Sequence, residues 1–374
     1  MQWILLTSTA LVAFAGTAFA AGHAADGVSF AGDATLGYNS DSDDGPLGDN
    51  DGFYWDANVA VTLAATLDNG LTAAATFDFD VADNNNGQDL VSGGYVLSLA
   101  SDTAAMYYGD TAFAAETAWS AVGDMEADNF SEADGETVLR GQATMAGVTA
   151  NLSYAIATAN GDLVQDNTTD YVDQLSLGAT GTFGNFTVSA AYQEEATYGA
   201  AFSAANGDFN GSEVFGISGS TTFSGATVSV GYASNMTADT SSTGIKVAYP
   251  FGPVTATAYY VMEDADGGDP EDNYGINLAY VSGAVAVTLD YQDDQGTAKT
   301  AIDGSYDLGN GLEIFAGMYM EDNIENEFYV AGSYDLGGGA SVLVAYADAQ
   351  DDTDDEVGAN EYQRGTTVEV SFAF

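Results

Sequence analysis

After Asp26 the chain alternates apolar and polar positions with a period of two, the repeat of an extended strand with one greasy face. Phe53, Trp55, Ala57, Val59, Val61, Leu63, Ala65 and Leu67 fall on one side of such a segment, and Tyr54, Asp56, Asn58, Thr62 and Thr66 on the other. The turn Asp68-Asn69-Gly70 follows, and then Leu71, Ala73, Ala75, Phe77, Phe79 and Val81 oppose Thr72, Thr76, Asp78 and Asp80. The same hairpin recurs across Gly184-Asn185, Ser224-Gly225, Phe251-Gly252-Pro253, Ser282-Gly283, Gly309-Asn310-Gly311 and Gly337-Gly338-Gly339, with weaker turn signals near Ser101-Asp102 and Ala146-Gly147. These are residues that tolerate positive φ, as tight hairpins require. Nine short turns and two terminal strands predict twenty strands, and the short turns alternate with long connections that hold most of the acid: 39–52, 194–212, 264–273 and 348–361.

The apolar faces carry aromatics at their ends. Tyr154, Tyr192, Tyr232, Tyr260, Tyr291 and Tyr346 stand where strands lead into long connections; Phe183, Phe223, Tyr249, Tyr280, Tyr306 and Tyr334 stand near short turns. Two aromatic rings at fixed heights are what a bilayer's two interfaces select. Segments of about 9–11 residues, tilted, match a hydrocarbon band of roughly 25 Å, where every backbone group must be paired and only a closed sheet pairs them all. The last segment, TTVEVSFAF, places Thr366, Val368, Val370, Phe372 and Phe374 on one face, which predicts a lipid-facing strand zipped to the first strand, VSFAGDATLGY. A soluble β-sandwich or β-helix is the competing fold. The β-helix repeat needs an Asp that LGGGAS at 336–341 lacks.

Charge and export signals narrow the class further. With 56 acids against 4 cations among 374 residues, the formal charge is −52, which excludes nucleic acid as a partner. Disorder does not fit 46% hydrophobic and 12% aromatic residues, so the acid excess reads as adaptation to a saline medium that screens self-repulsion. Residues 1–20 are apolar, uncharged and end in Ala18-Phe19-Ala20, which predicts a cleaved export signal followed by a single domain over 21–374. There is no cysteine, so an exported chain of this size needs another constraint, which a closed sheet supplies. The single histidine, His23, offers no triad and no zinc site, and an enzyme is not expected. Acidic clusters such as Asp264, Asp266 and Asp269 offer hard oxygens for weak calcium binding, without the spacing of a dedicated loop.

With the greasy face outward, parity points Asp33, Asp56, Asp78, Asp80, Asp290, Asp303, Asp307, Glu313, Asp335 and Glu369 inward, against Arg140, Lys246 and Lys299. So many facing carboxylates require water or counter-ions between them. The connection 110–137 differs from the rest, because it mixes Phe113, Trp119, Val122 and Met125 with Glu116, Asp124, Glu126 and Asp128. That mixture predicts a segment folded into the barrel, its apolar side on the wall and its acids at the opening; the alternatives are an outward lid or a subunit contact.

These features resemble the general diffusion porins of Gram-negative outer membranes, in particular those of Rhodobacter-type alphaproteobacteria. The likeness rests on the signal, on GVSFAGDATLGYN, MYYGDTAFAAET, TFGNFTVSAAY and SYDLGGGASVLVAYAD, and on Phe374. It implies a closed antiparallel transmembrane β-barrel of sixteen strands, against twenty by the count above, assembled as a homotrimer among membrane lipid and lipopolysaccharide. It also implies a third loop folded inward as the pore constriction, and a terminal Phe374 read by the barrel-assembly machinery. The expected function is passive diffusion of ions and small hydrophilic solutes, with Glu116, Asp124, Glu126, Asp128, Arg140 and Lys246 at the constriction and Asp56, Asp78, Asp80, Asp290, Asp303 and Glu313 on the wall. The family's cluster of cations opposite the loop acids is thin here, and a cation preference follows. A substrate-specific channel, or an acidic exported surface protein without a pore, are the competing functions.

Overall fold

The structure, a computed structural model, describes residues 27–40, 52–83, 91–132, 136–157, 171–197, 209–268, 270–324, 326–348, 362 and 364–374. The expected signal, His23, Asp269 and most of the acidic stretches 39–52 and 348–361 lie outside the described residues.

Among the described residues there is no helix. The first ten strands are β1 (Gly27–Ser40), β2 (Gly52–Thr66), β3 (Thr72–Asp83), β4 (Val91–Ala100), β5 (Ala104–Asp110), β6 (Thr137–Met145), β7 (Val148–Ala157), β8 (Tyr171–Phe183), β9 (Phe186–Gln193) and β10 (Val214–Phe223). The second ten are β11 (Ala226–Asn235), β12 (Thr240–Phe251), β13 (Val254–Ala265), β14 (Asn273–Ser282), β15 (Val285–Asp294), β16 (Thr297–Gly309), β17 (Leu312–Glu321), β18 (Glu327–Gly337), β19 (Ala340–Asp348) and β20 (Gly365–Ala373). Consecutive strands pair antiparallel, and β1 pairs with β20 from Asp33↔Ala373 to Ser40↔Thr366, so the sheet closes on itself. Among the described residues the count is twenty, as the alternation predicts and four more than the family likeness implies. Strands spaced about 4.8 Å apart and tilted about 40° then give a backbone cylinder roughly 40 Å across, wide enough for a water-filled lumen.

The expected short turns are where the alternation puts them. Ala146 and Gly147 sit at φ 53° and 82° between β6 and β7, and the Ser101 hydroxyl accepts the Thr103 and Ala104 N–H groups between β4 and β5. The expected alternation with long connections fails in the second half. Residues 236–239 join β11 to β12 and Gln295-Gly296 join β15 to β16. Gln295 at φ 49° and Gly296 at φ 80° form the same positive-φ pair as Ala146-Gly147, and Asp239 at φ 54° enters the left-handed region without a glycine beside it.

Parity holds along the wall. Val188, Val230 and Val344 are 41%, 55% and 50% exposed on the outer surface. Such a continuous apolar exterior has hydrocarbon as its solvent, and the soluble sandwich is excluded. Buried apolar side chains gather instead inside, where the segment between β5 and β6 meets the wall: Phe113 with Val138, Ala155 and Phe209, Ala115 and Phe130 with Ala191 and Val214, and Val122, Met125 and Ala127 with Ala233 and Val261.

Candidate functional site in the lumen

Residues 111–132 leave β5 and turn into the barrel. One tight turn starts the segment: Glu116 accepts the Phe113 N–H at 3.0 Å, and the Trp119 N–H reaches the Ala115 carbonyl at 2.8 Å. From there the segment crosses the inner faces of β7 to β14, hydrogen-bonded to β7, β8, β9, β12, β13 and β14 and packed on β10 and β11. The Ala114 and Ala115 N–H groups donate to Ser153 Oγ and Ser176 Oγ, both at 2.8 Å, and the Ala127 N–H to Ser242 Oγ at 3.0 Å. The Ser131 N–H donates to Gln193 Oε1 at 2.8 Å, and the Ser131 hydroxyl to Gln174 Oε1 at 2.9 Å. Gln174 stands at φ 43° where the β7–β8 register slips, a bulge that turns a buried amide toward the segment.

At four points the wall under the segment carries no side chain. A Cβ at Gly178 would lie 1.9 Å from the Ala114 carbonyl oxygen, one at Gly216 2.4 Å from the Trp119 ring, one at Gly231 2.8 Å from Val122, and one at Gly244 2.0 Å from the Val122 carbonyl oxygen. These glycines form a seat across β8, β10, β11 and β12. Sequence reasoning passed over it, although the same parity that turned Tyr232 outward turns Gly231 inward.

The acids of the segment separate into two places. Glu116 stays at its start, beside Arg140 and acting on it electrostatically. Arg140 does not face open water as a constriction residue would: it is 8% exposed, its guanidinium 4.4 Å from the Tyr107 ring centre and bonded to Thr111 and Asn151. Asp124, Glu126 and Asp128 gather at the far end against β12 to β15. Asn273 Nδ2 donates to the Asp124 carbonyl and to Glu126 Oε1, each at 3.0 Å; Gln292 Nε2 reaches Asp124 Oδ2 at 3.4 Å; and the Glu126 N–H donates to Glu263 Oε1 at 3.3 Å. Trp119 Nε1 donates to Asp128 Oδ2 at 2.8 Å. Carboxylate oxygens of Asp124, Glu126 and Asp294 lie within 4.8 Å of one another. Burial pushes the Asp124 carboxyl up to about 7, with Asp294 and Glu126 adding to the rise and Lys299 opposing it. Burial likewise pushes Asp128 up to about 6 against the Trp119 hydrogen bond.

Of the expected wall acids, Asp56 accepts from Asn58 at 2.7 Å, with Asp78 and Asp80 on the neighbouring strand. Asp303 accepts the Tyr329 hydroxyl at 2.7 Å, and Glu313 stands on the same face of β17 as Phe315 and Tyr319. Asp290 is 7% exposed and bonded to Asn277, so it belongs to the packed wall more than to the open passage. Lys246 faces inward on β12, in register with Ser229 and Tyr259. Asp264 and Asp266 are exposed and take no part in the carboxylate cluster. Glu263 and Asp294, which do line it, were missed, although continuing the inward parity of β13 and of Asp290 along β15 reaches both.

The family model for Gram-negative porin matches residues 7–356. No curated protein is a match for the sequence. Among solved structures, the chain is similar to a mutant of the Rh. blastica porin, at 14% identity and a TM-score of 0.48, with 93% of this chain and 100% of that chain covered. A triple mutant of the Rhodopseudomonas blastica porin is similar at 14% identity and a TM-score of 0.47, with the same coverage.

Proposed function

Since the chain belongs to the Gram-negative porin family, the channels of the outer membrane, we propose that it passes small hydrophilic solutes by passive diffusion, without a reaction, and prefers cations. In this reading residues 111–132 narrow the passage. One observation carries the preference: the tip of the segment sets Asp124, Glu126 and Asp128 against Glu263 and Asp294, while the whole chain holds 4 cations, one of them the buried Arg140. A negative potential at the narrowest point concentrates cations there and repels anions. The barrel is proposed to work as a homotrimer among lipid and lipopolysaccharide. Phe374, fully displayed at the end of the closing strand and stacked on Phe372, is its proposed assembly signal.

The test is the reversal potential across a planar bilayer in a salt gradient. Wild type should give the sign of cation selectivity, and the triple variant Asp124→Asn, Glu126→Gln, Asp128→Asn should lose most of it, roughly a several-fold drop in the permeability ratio. An anion-selective wild type would end this reading. An aromatic track for one substrate is less well supported, although the inner wall holds more tyrosine than the sequence suggested. Tyr54 donates to Glu369, Tyr259 to Gln292 and Tyr329 to Asp303, and Tyr319 is fully buried, so these phenols brace the wall.

A further inference from the structure

We propose that Lys299 is the counter-charge that docks the tip of the 111–132 segment to the barrel wall; its consequence for conduction rests on the reading that this segment narrows the passage. The tip brings like charges together. Asp124 and Glu126 approach Asp294 to within 4.8 Å, and the Glu126 backbone lies on Glu263. Hydrogen bonds from Asn273 and Gln292 orient these carboxylates without neutralising them.

Lys299 supplies the missing sign at the right place. Its Nζ lies 3.2 Å from Asp294 Oδ2, its side chain is 13% exposed, and it is in electrostatic reach of Asp124 and Glu321 as well. The register explains the position: Lys299 faces Gln292 on β15, the residue that bonds Asp124, and Glu321 on β17. Arg140 and Lys246 stand on β6 and β12, in register with Tyr107 and Ser153 and with Ser229 and Tyr259 respectively. Removing the ammonium leaves three converging carboxylates opposed only by amide dipoles, and the tip should lift from the wall.

Two readouts on the full-length protein separate docking from conduction. With Trp3 and Trp55 replaced by Phe, the fluorescence of Trp119 reports how far the segment is held from water. Lys299→Gln should raise the acrylamide quenching of Trp119 roughly twofold, Lys299→Arg should keep it at the wild-type level, and Lys299→Gln with Asp294→Asn should recover most of the protection because one repelling charge leaves with the ammonium. Unchanged quenching in Lys299→Gln overturns the proposal. Raised quenching together with a changed single-channel conductance supports both the docking role and the narrowing role. Raised quenching at unchanged conductance supports the docking role and overturns the narrowing role of the segment.

Discussion

The inner wall of this barrel is built from two materials. Across β7 to β12 the inward positions under the folded segment include Ser153, Ser176, Gly178, Gly216, Gly231, Ser242 and Gly244, beside the larger Gln193 and Val214. Across β1 to β3 and β16 to β20 they include Asp33, Asp56, Asp78, Asp80, Asp303, Glu313 and Glu369, with Tyr54, Tyr319 and Tyr329 among them. The same closed sheet carries both. A wall facing water has no steric demand beyond hydration, so long acids are tolerated; a wall that carries a second layer of chain must clear a groove for it and offer hydroxyls to its orphan N–H groups. Under the segment the wall is cleared at four glycines to carry a second layer of chain, while the opposite side mixes carboxylates with a buried cluster of its own, Phe315, Tyr329, Ala331, Ala345 and Ala347.

Filling the groove should break the contrast most completely. Gly178→Val with Gly244→Val places side chains where the Ala114 and Val122 carbonyls now lie, contacts that cannot be relieved by a rotamer because both partners are backbone. Overpacking of this kind costs about 1–3 kcal/mol per site, and the segment is the part free to move. The pair should change single-channel conductance by roughly twofold while leaving the barrel's resistance to detergent and heat intact, since the outer face and the strand pairing are untouched. Valines on the acid side, at Thr62 or Ser333, should leave conductance near wild type. Equal effects on the two sides would abolish the distinction.

How much of this was legible beforehand divides along the same line. Strand number, turn positions and the lipid face follow from period-two alternation because hydrocarbon admits no exceptions: Val230 and Tyr232 must face out, and the sequence says so. The inward segment was legible too, in the conjunction of Phe113 and Trp119 with Glu116 and Asp124. What it lands on was not, because a glycine at an inward strand position looks the same whether it clears a groove or merely adds nothing. Arg140 was misplaced for a related reason. Parity assigns a face, and only the path of the segment decides that this inward arginine is covered at 8% exposure, while Lys299 becomes central.

Acid should sharpen the comparison with a smaller effect. Asp124 at about 7 and Asp128 at about 6 are raised carboxyls, so both are neutral at pH 5 and charged at pH 8. For a raised acid the folded arrangement is favoured while the group is protonated and loses that advantage as pH climbs through the folded value. Docking of the tip is thus tightest below pH 6 and loosest above pH 7, and cation preference runs the same way as charge, lowest in acid and highest in alkali. Reversal potentials measured from pH 5 to pH 8 should rise with a midpoint between about 6 and 7, and Asp124→Asn should remove the upper part of that rise. A flat profile would show that the tip acids do not govern the passage.

The smallest effect tests how the segment side tunes its own charge. Trp119 packs on Phe130 at 5.6 Å between ring centres, fits against Gly216, and gives its one N–H to Asp128. That bond favours the ionised carboxylate and holds Asp128 below where burial alone would put it. Trp119→Phe keeps an aromatic ring in the groove and deletes the donor together with the second ring. A hydrogen bond to a charged acceptor contributes about 1.5–3 kcal/mol, and a tenfold change in a proton equilibrium corresponds to about 1.4 kcal/mol, so the Asp128 titration should move up by at least about one pH unit. In the reversal-potential profile the lower step then shifts from near pH 6 toward pH 7 and merges with that of Asp124. The conservative ring leaves the docking contacts of Ala114, Ala115 and Ala127 in place, so conductance at pH 8 should stay close to wild type. If the lower step keeps its position, the indole serves the groove by packing alone, and the charge of Asp128 is set by its burial and its acidic neighbours.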